Sequence, residues 1–327
     1  MLDTLVIALL PALITVVLGY VAARRHDFVP ADAAVLIRMV MSYALPLGLF
    51  VGTVHTSRAA LLADASLLAA LFVAIVGLYL VVFLLARYVF HYSLGVSALG
   101  ALAAAGPNFA FIGPPVLGTL YGPASTVPIA VGNTLVLLTI FPATVVLLSL
   151  QAMERPAAEN ATPPPDETPP VVPAGAGVGE TLLHAVAKPI VWMPLLGFAC
   201  VMLGVEFPGP ALNALDLLGQ SATGVALFSA GIVISAYKLE ISRPVIALAL
   251  IKNLGQPALM FGLMMAFGFA NPALGEAVVA VALPTLVSVA LLGVQYNVAP
   301  SQAASTLFLS LVTSLATLAL FIALTGA

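Results

Sequence analysis

Hydrophobic positions in this chain fall in long unbroken runs rather than in alternation. Ten apolar segments can be marked off, at 2–23, 30–54, 66–88, 94–120, 123–150, 189–205, 210–237, 245–269, 275–296 and 301–324. A helix of roughly 20 apolar residues, rising about 1.5 Å per residue, crosses the hydrocarbon core of a bilayer. One hydrophilic stretch, 151–188, separates the runs into five and five. It carries Pro156, Pro163, Pro164, Pro165, Pro169, Pro170 and Pro173, and its charges are Glu154, Arg155, Glu159, Asp166, Glu167, Glu180 and Lys188. A Pro-rich tract of such low hydrophobicity buries too little to fold, and reads as a disordered linker. The pattern predicts an all-α integral membrane protein of ten transmembrane helices. Residues 1–150 form a first five-helix repeat, 151–188 the linker and 189–327 a second repeat. The first run lacks a basic leader and carries Asp3, with Arg24 and Arg25 behind it, so it reads as a transmembrane helix rather than a signal peptide.

Composition removes the alternatives. Of 327 residues 62% are hydrophobic and 7% charged, with mean hydropathy +1.17, against about 45–50% apolar and 25% charged in soluble domains. A soluble domain, a nucleic-acid binder and a secreted disulfide scaffold are excluded. Cys200 is the only cysteine, and the net charge of −3 points to no particular partner beyond the lipid bilayer.

Charge also sets the expected orientation. With ten spans, Arg24, Arg25, Arg87, Arg155, Lys188, Lys238 and Arg243 fall on one side and Arg58 on the other. The basic side faces the cytoplasm, which puts both termini outside and the linker in the cytoplasm of a cell enclosed by a plasma (inner) membrane. Five spans per half is odd, so the halves insert in opposite senses, an arrangement of secondary transporters. Echoes agree with a repeat. Phe28-Val29-Pro30 follows the first span and Glu206-Phe207-Pro208 the sixth; Pro107 and Tyr121 in span four answer Pro284 and Tyr296 in span nine.

Spans four and nine also carry the candidate chemistry. In Gly106-Pro107-Asn108-Phe109-Ala110-Phe111-Ile112-Gly113-Pro114-Pro115 three prolines remove backbone donors in mid-span, and Leu283-Pro284-Thr285 repeats the interruption. Paired broken helices in two repeats point to a transport site, because their exposed N-termini attract anions. Asn108 could donate to a carboxylate, with Thr285 and Ser288 from the other half and Asn133 from span five; a helix–helix hydrogen bond is the alternative for each, and the site is the favoured reading for Asn108. Arg38, Asp216 and Lys252 are the ionisable residues well inside the predicted spans. The two bases read as counter-charges or as snorkelling side chains, and Asp216 as a proton or sodium carrier or an interface residue. His26, His55, His91 and His184 sit at span ends, without a His-Glu-x-x-His motif or a Gly-rich phosphate loop. Neither an enzyme nor an ATP-driven pump is expected, and no cofactor or metal.

At these residues the chain resembles the auxin efflux carrier family, whose bacterial members include malonate and malate permeases. The resemblance rests on Asn108 to Pro115, on Ala282-Leu283-Pro284-Thr285 through Gln295-Tyr296-Asn297 to Ala303-Ala304-Ser305, and on Met41-Ser42-Tyr43-Ala44-Leu45-Pro46. It covers nearly the whole chain. It implies a crossover fold like that of bile-acid symporters and sodium/proton antiporters, in which spans one, two, six and seven are a scaffold and the rest moves as an elevator. It further implies that Asn108 and Phe109 meet the substrate, that Pro107, Gly113, Pro114 and Pro284 shape the crossover, and that Asn133 lines the pocket. Plant members flank the crossover asparagine with prolines on both sides, and an asparagine often stands where Thr285 is here. Those departures favour a small carboxylate over a bulky indole acid.

The expected function is therefore secondary transport of a small organic anion, a dicarboxylate such as malonate or malate. Import of a dianion against 100 mV would cost about 4.6 kcal/mol, so uptake would need a co-transported proton or sodium, while export could run on the potential. Export of an aromatic monocarboxylate or amino acid is the alternative, and an anion channel a further one. A static scaffold would make the assembly a homodimer.

Overall fold

The computed structural model describes residues 2–55, 58, 65–122, 126–154, 187–236 and 239–326. The expected linker falls largely outside them. The described residues are helical throughout, with no strand beyond one isolated antiparallel pair. In chain order the helices are α1 (Leu2–Arg24), α2 (Asp32–Val54), α3 (Ala65–Val89), α4 (Leu94–Ala105), α5 (Phe109–Tyr121) and α6 (Val127–Ala152). After the linker come α7 (Pro189–Leu203), α8 (Gly209–Ala236), α9 (Arg243–Ala266), α10 (Ala273–Val281), α11 (Ser288–Gln295) and α12 (Pro300–Thr325). Six of them, α2, α3, α6, α8, α9 and α12, are long and apolar enough to cross a membrane. Apolar segments four and nine are each occupied by two short helices instead of one.

Local chemistry explains the ends. Asp32 accepts the Val29 amide at 2.8 Å at the start of α2, satisfying a donor that a helix N-terminus leaves open. Pro189 and Pro300 begin α7 and α12, where a missing N–H costs nothing. Gly204, at φ 70°, turns the chain out of α7, a left-handed position that suits glycine. Among the described residues four π-turns interrupt otherwise regular helices, at Val40–Ala44, Val73–Gly77, Leu85–Val89 and Ile251–Gly255. Such turns leave carbonyls without their usual donors, and two of them bear on the site below.

The helices pack in two groups. In one, α1 lies along α8, and α2 packs against both α7 and α8. Glycines bring these backbones together: a Cβ on Gly231 would stand 2.1 Å from the Val16 carbonyl, and one on Gly19 2.0 Å from that of Phe228. Between helices in lipid, close backbone approach replaces the hydrophobic drive that water would supply. In the other group α3, α4 and α6 pack together, α9 packs on α10 and α12, and α5 lies on α6. Leucines such as Leu203 and Leu217 are more than three-quarters exposed, as expected of a surface that faces lipid. The two short-helix pairs are the reverse. Ala277 through Leu283 are wholly enclosed, as are Ala104, Ala105, Asn108 and Phe109.

Candidate functional site

The breaks in segments four and nine meet. Gly106 to Asn108 separates α4 from α5, Ala282 to Val287 separates α10 from α11, and Pro107 pairs antiparallel with Thr285. The Asn108 amide donates to the Pro284 carbonyl and the Leu286 amide to the Gly106 carbonyl, both at 2.9 Å. Backbone outside a helix is tolerated at membrane depth only where protein satisfies it, and here each break satisfies the other.

The remaining loose carbonyls can be followed individually. Pro107 has no N–H, so the carbonyl of Ala103, four residues earlier, loses its helical donor. The Thr285 hydroxyl supplies one at 2.8 Å. Phe109 turns its amide to Pro107, which orphans the Ala105 carbonyl at the end of α4; Gln256 Nε2 donates to it at 2.9 Å. The Thr285 amide goes to Ser310 Oγ at 3.0 Å, which orphans the Val281 carbonyl at the end of α10; Lys252 Nζ donates to it at 2.8 Å. Ser310 in turn donates to Asn253 Oδ1 at 2.7 Å. One stretch of α9, carried on its π-turn, therefore serves both broken helices: Lys252 at the end of α10 and Gln256 at the end of α4.

With the C-terminal ends served by α9, the N-terminal ends of α5 and α11 are left. Asn108 is the N-cap of α5, yet its side chain caps nothing. Both carboxamide atoms, Oδ1 and Nδ2, are buried without a hydrogen-bond partner among the described residues. Buried polar groups are nearly always partnered, and asparagine at an N-cap ordinarily bonds the first turn. An idle, enclosed amide beside a helix N-terminus is chemically suited to a carboxylate, which would accept from Nδ2 and from the first-turn amides.

The other candidates distribute around this point. Phe109 is enclosed, its ring filling the space where a Cβ on Gly132 would stand 2.5 Å from Cζ. That contact fixes α6 against the start of α5, with half-buried Asn133 next in the chain. Ser288 is buried at the first turn of α11. Pro107 and Pro284 lie in the breaks. The sequence suggested a break extending over Gly113 and Pro114; the helix instead resumes at Phe109 and runs through both. Gly113 gives α5 room against Ile129, 3.3 Å from a built Cβ. Arg38 is exposed on α2, and half-exposed Asp216 accepts from Gln220 Nε2, one turn on, at 2.6 Å. Neither is among the residues joined at the crossing; Lys252 is. Gln256, Asn253 and Ser310 join the crossing although they lie in spans eight and ten, away from the prolines that marked the candidate residues. The signal was present in Lys252-Asn253 and Gln256, three polar residues within five positions of an apolar span. Two surface grooves, of about 330 and 300 Å³, lie elsewhere, one against Asn271 and Thr325, the other against Phe28 and Phe228.

A helical membrane protein with a pair of crossed helix breaks enclosed in its interior has the build of a solute carrier. The family described as membrane transport proteins matches residues 4–322, and the chain belongs to it, the auxin efflux carrier family of the sequence resemblance. Among curated relatives it is similar to the uncharacterized transporter YfdV of Escherichia coli K12, 26% identical over 320 residues that cover 96% of this chain and 95% of the relative. Proteins of the same name from Escherichia coli O157:H7 and Shigella flexneri match to the same extent.

Proposed function

We propose that the chain is a secondary active transporter of small organic anions, with a dicarboxylate such as malonate or malate as substrate, bound by one carboxylate at the crossed breaks. The observation that carries this reading is the enclosed and unpartnered carboxamide of Asn108 at the N-terminus of α5. Asn133 and Ser288 complete the site, Phe109 positions α6 against it, and Thr285 holds the crossing shut through Ala103. The protein spans the plasma membrane ten times as two inverted five-helix repeats, with termini outside and the linker in the cytoplasm. The basic residues at span ends and the matching breaks support that layout.

Movement is part of the proposal. Asn108 has no exposure, so substrate reaches it only when the helices around the crossing shift. The packing of α1, α2, α7 and α8 as one group supports an elevator in which that group is the scaffold, and its free face is the expected homodimer contact.

The reading is tested by thermal stabilisation of purified protein with a panel of monocarboxylates, dicarboxylates and indole acids. Malonate or malate should raise the melting temperature most, and an indole acid as the sole stabiliser would move the assignment to export of aromatic monocarboxylates. Unitary currents in planar bilayers would instead identify a channel.

A further inference from the structure

Lys252 is the one charged side chain with no exposure among the described residues, and its Nζ has one partner, the Val281 carbonyl. Three donors sit on a protonated lysine, so two are unused. No ion pair reaches it among the described residues. Nothing packed nearby supplies a compensating charge: α4 and α12 carry no ionisable side chain, and α9 itself adds only Arg243, nine residues away. From α3 come Tyr79, whose hydroxyl is engaged with Thr144, and Arg87 and Tyr88 toward the far end. The one acid, Glu276 on α10, lies five residues before Val281. One further group nearby is idle: Gln256 Oε1, four residues along the same helix, is buried without a partner.

A lone charge enclosed in protein is held at great cost unless an opposite charge arrives. The anion proposed above would be that charge. Gln256 ties the face of α9 that carries Lys252 to Ala105, three residues before Asn108. An anion at Asn108 favours the ammonium form of Lys252, and by reciprocity a protonated Lys252 favours the anion. Gln256 Oε1 is the acceptor in place for an additional N–H.

Resting on that anion site, we propose that Lys252 is the coupling residue: its amine takes up one proton from the side on which the anion enters and releases it where the anion leaves. The Nζ lone pair accepts the proton and returns it to water, so no other group changes. The carrier is thereby an anion/proton symporter.

The test is proton uptake on malonate binding to the full-length protein in nanodiscs. It is measured at about pH 8, well above the carboxylate range, from binding heats in buffers of different ionisation enthalpy. Wild type should take up close to one proton per malonate. Lys252→Arg, whose guanidinium stays charged, should bind malonate with no uptake, and Glu276→Gln should keep it. Malonate binding without proton uptake in the wild type, or uptake that persists in Lys252→Arg or vanishes in Glu276→Gln, overturns the assignment. Should no carboxylate bind, the anion site itself is wrong and this inference falls with it.

Discussion

Replacing Gln256 with leucine isolates the energetic role of α9 at the crossing. The side chain reaches two helices, donating through Nε2 to Ala74 at 3.0 Å and to Ala105 at 2.9 Å. Both carbonyls lack ordinary donors. Ala105 loses its own where the chain breaks, and the Leu78 amide, which would serve Ala74 in an α-helix, turns to Val73 and Ile75 in the π-turn. Leucine has similar volume, so little cavity forms and the loss is polar. Interhelical hydrogen bonds in membranes average about 0.6 kcal/mol each, and a buried acceptor left unpaired costs about 1–3 kcal/mol. Removing the idle Oε1 recovers about 1 kcal/mol on the same scale. The balance is a destabilisation of about 2 kcal/mol, measurable by reversible unfolding in mixed micelles with Gln220→Leu, on the exposed face of α8, as control. A loss below about 0.5 kcal/mol, the range of inconsequential surface changes, would refute the claim that Gln256 secures the break.

Thr285→Val should lower stability by about 1 kcal/mol by stripping Ala103 of its donor, while Thr285→Ser, which keeps the hydroxyl, should stay near wild type in the same unfolding assay. Gly231→Ala should cost about 1–3 kcal/mol or prevent folding, because its methyl meets backbone of α1; Gly224→Ala, with open space at the same place, should be neutral in thermal melts. Asp216→Asn should leave proteoliposome uptake of malonate within about twofold, since its partner is Gln220 on an exposed surface.

Much of the fold could be read from the chain because membrane helices announce themselves by length. Each apolar segment holds helix, and Pro107 and Pro284 marked the two interruptions. What sequence could not convey was mutual geometry. Proline removes a donor, but which side chain replaces it depends on helices far apart in the chain. Thr285, offered as a ligand contact, gives its hydroxyl hydrogen to Ala103, a partner that the sequence does not name. Pro114 suggested a longer break, yet α5 runs through it as helix. Lys252 was ambiguous between snorkelling and function because its direction is set by the π-turn at Ile251–Gly255, which no residue type there foretells. Gln256 and Asn253 are uncharged and escaped notice in a chain where charge is scarce. Asn108 stood out because Pro107 beside it interrupts the helix in mid-span.

Uptake of labelled malonate by proteoliposomes carrying wild type or Asn108→Ala tests the central claim most directly. A charge-assisted hydrogen bond contributes about 1.5–3 kcal/mol, so the variant should take up malonate about tenfold or more slowly at low concentration, with its folding and melting temperature retained. Equal, saturable uptake by both proteins would contradict a carboxylate site at Asn108.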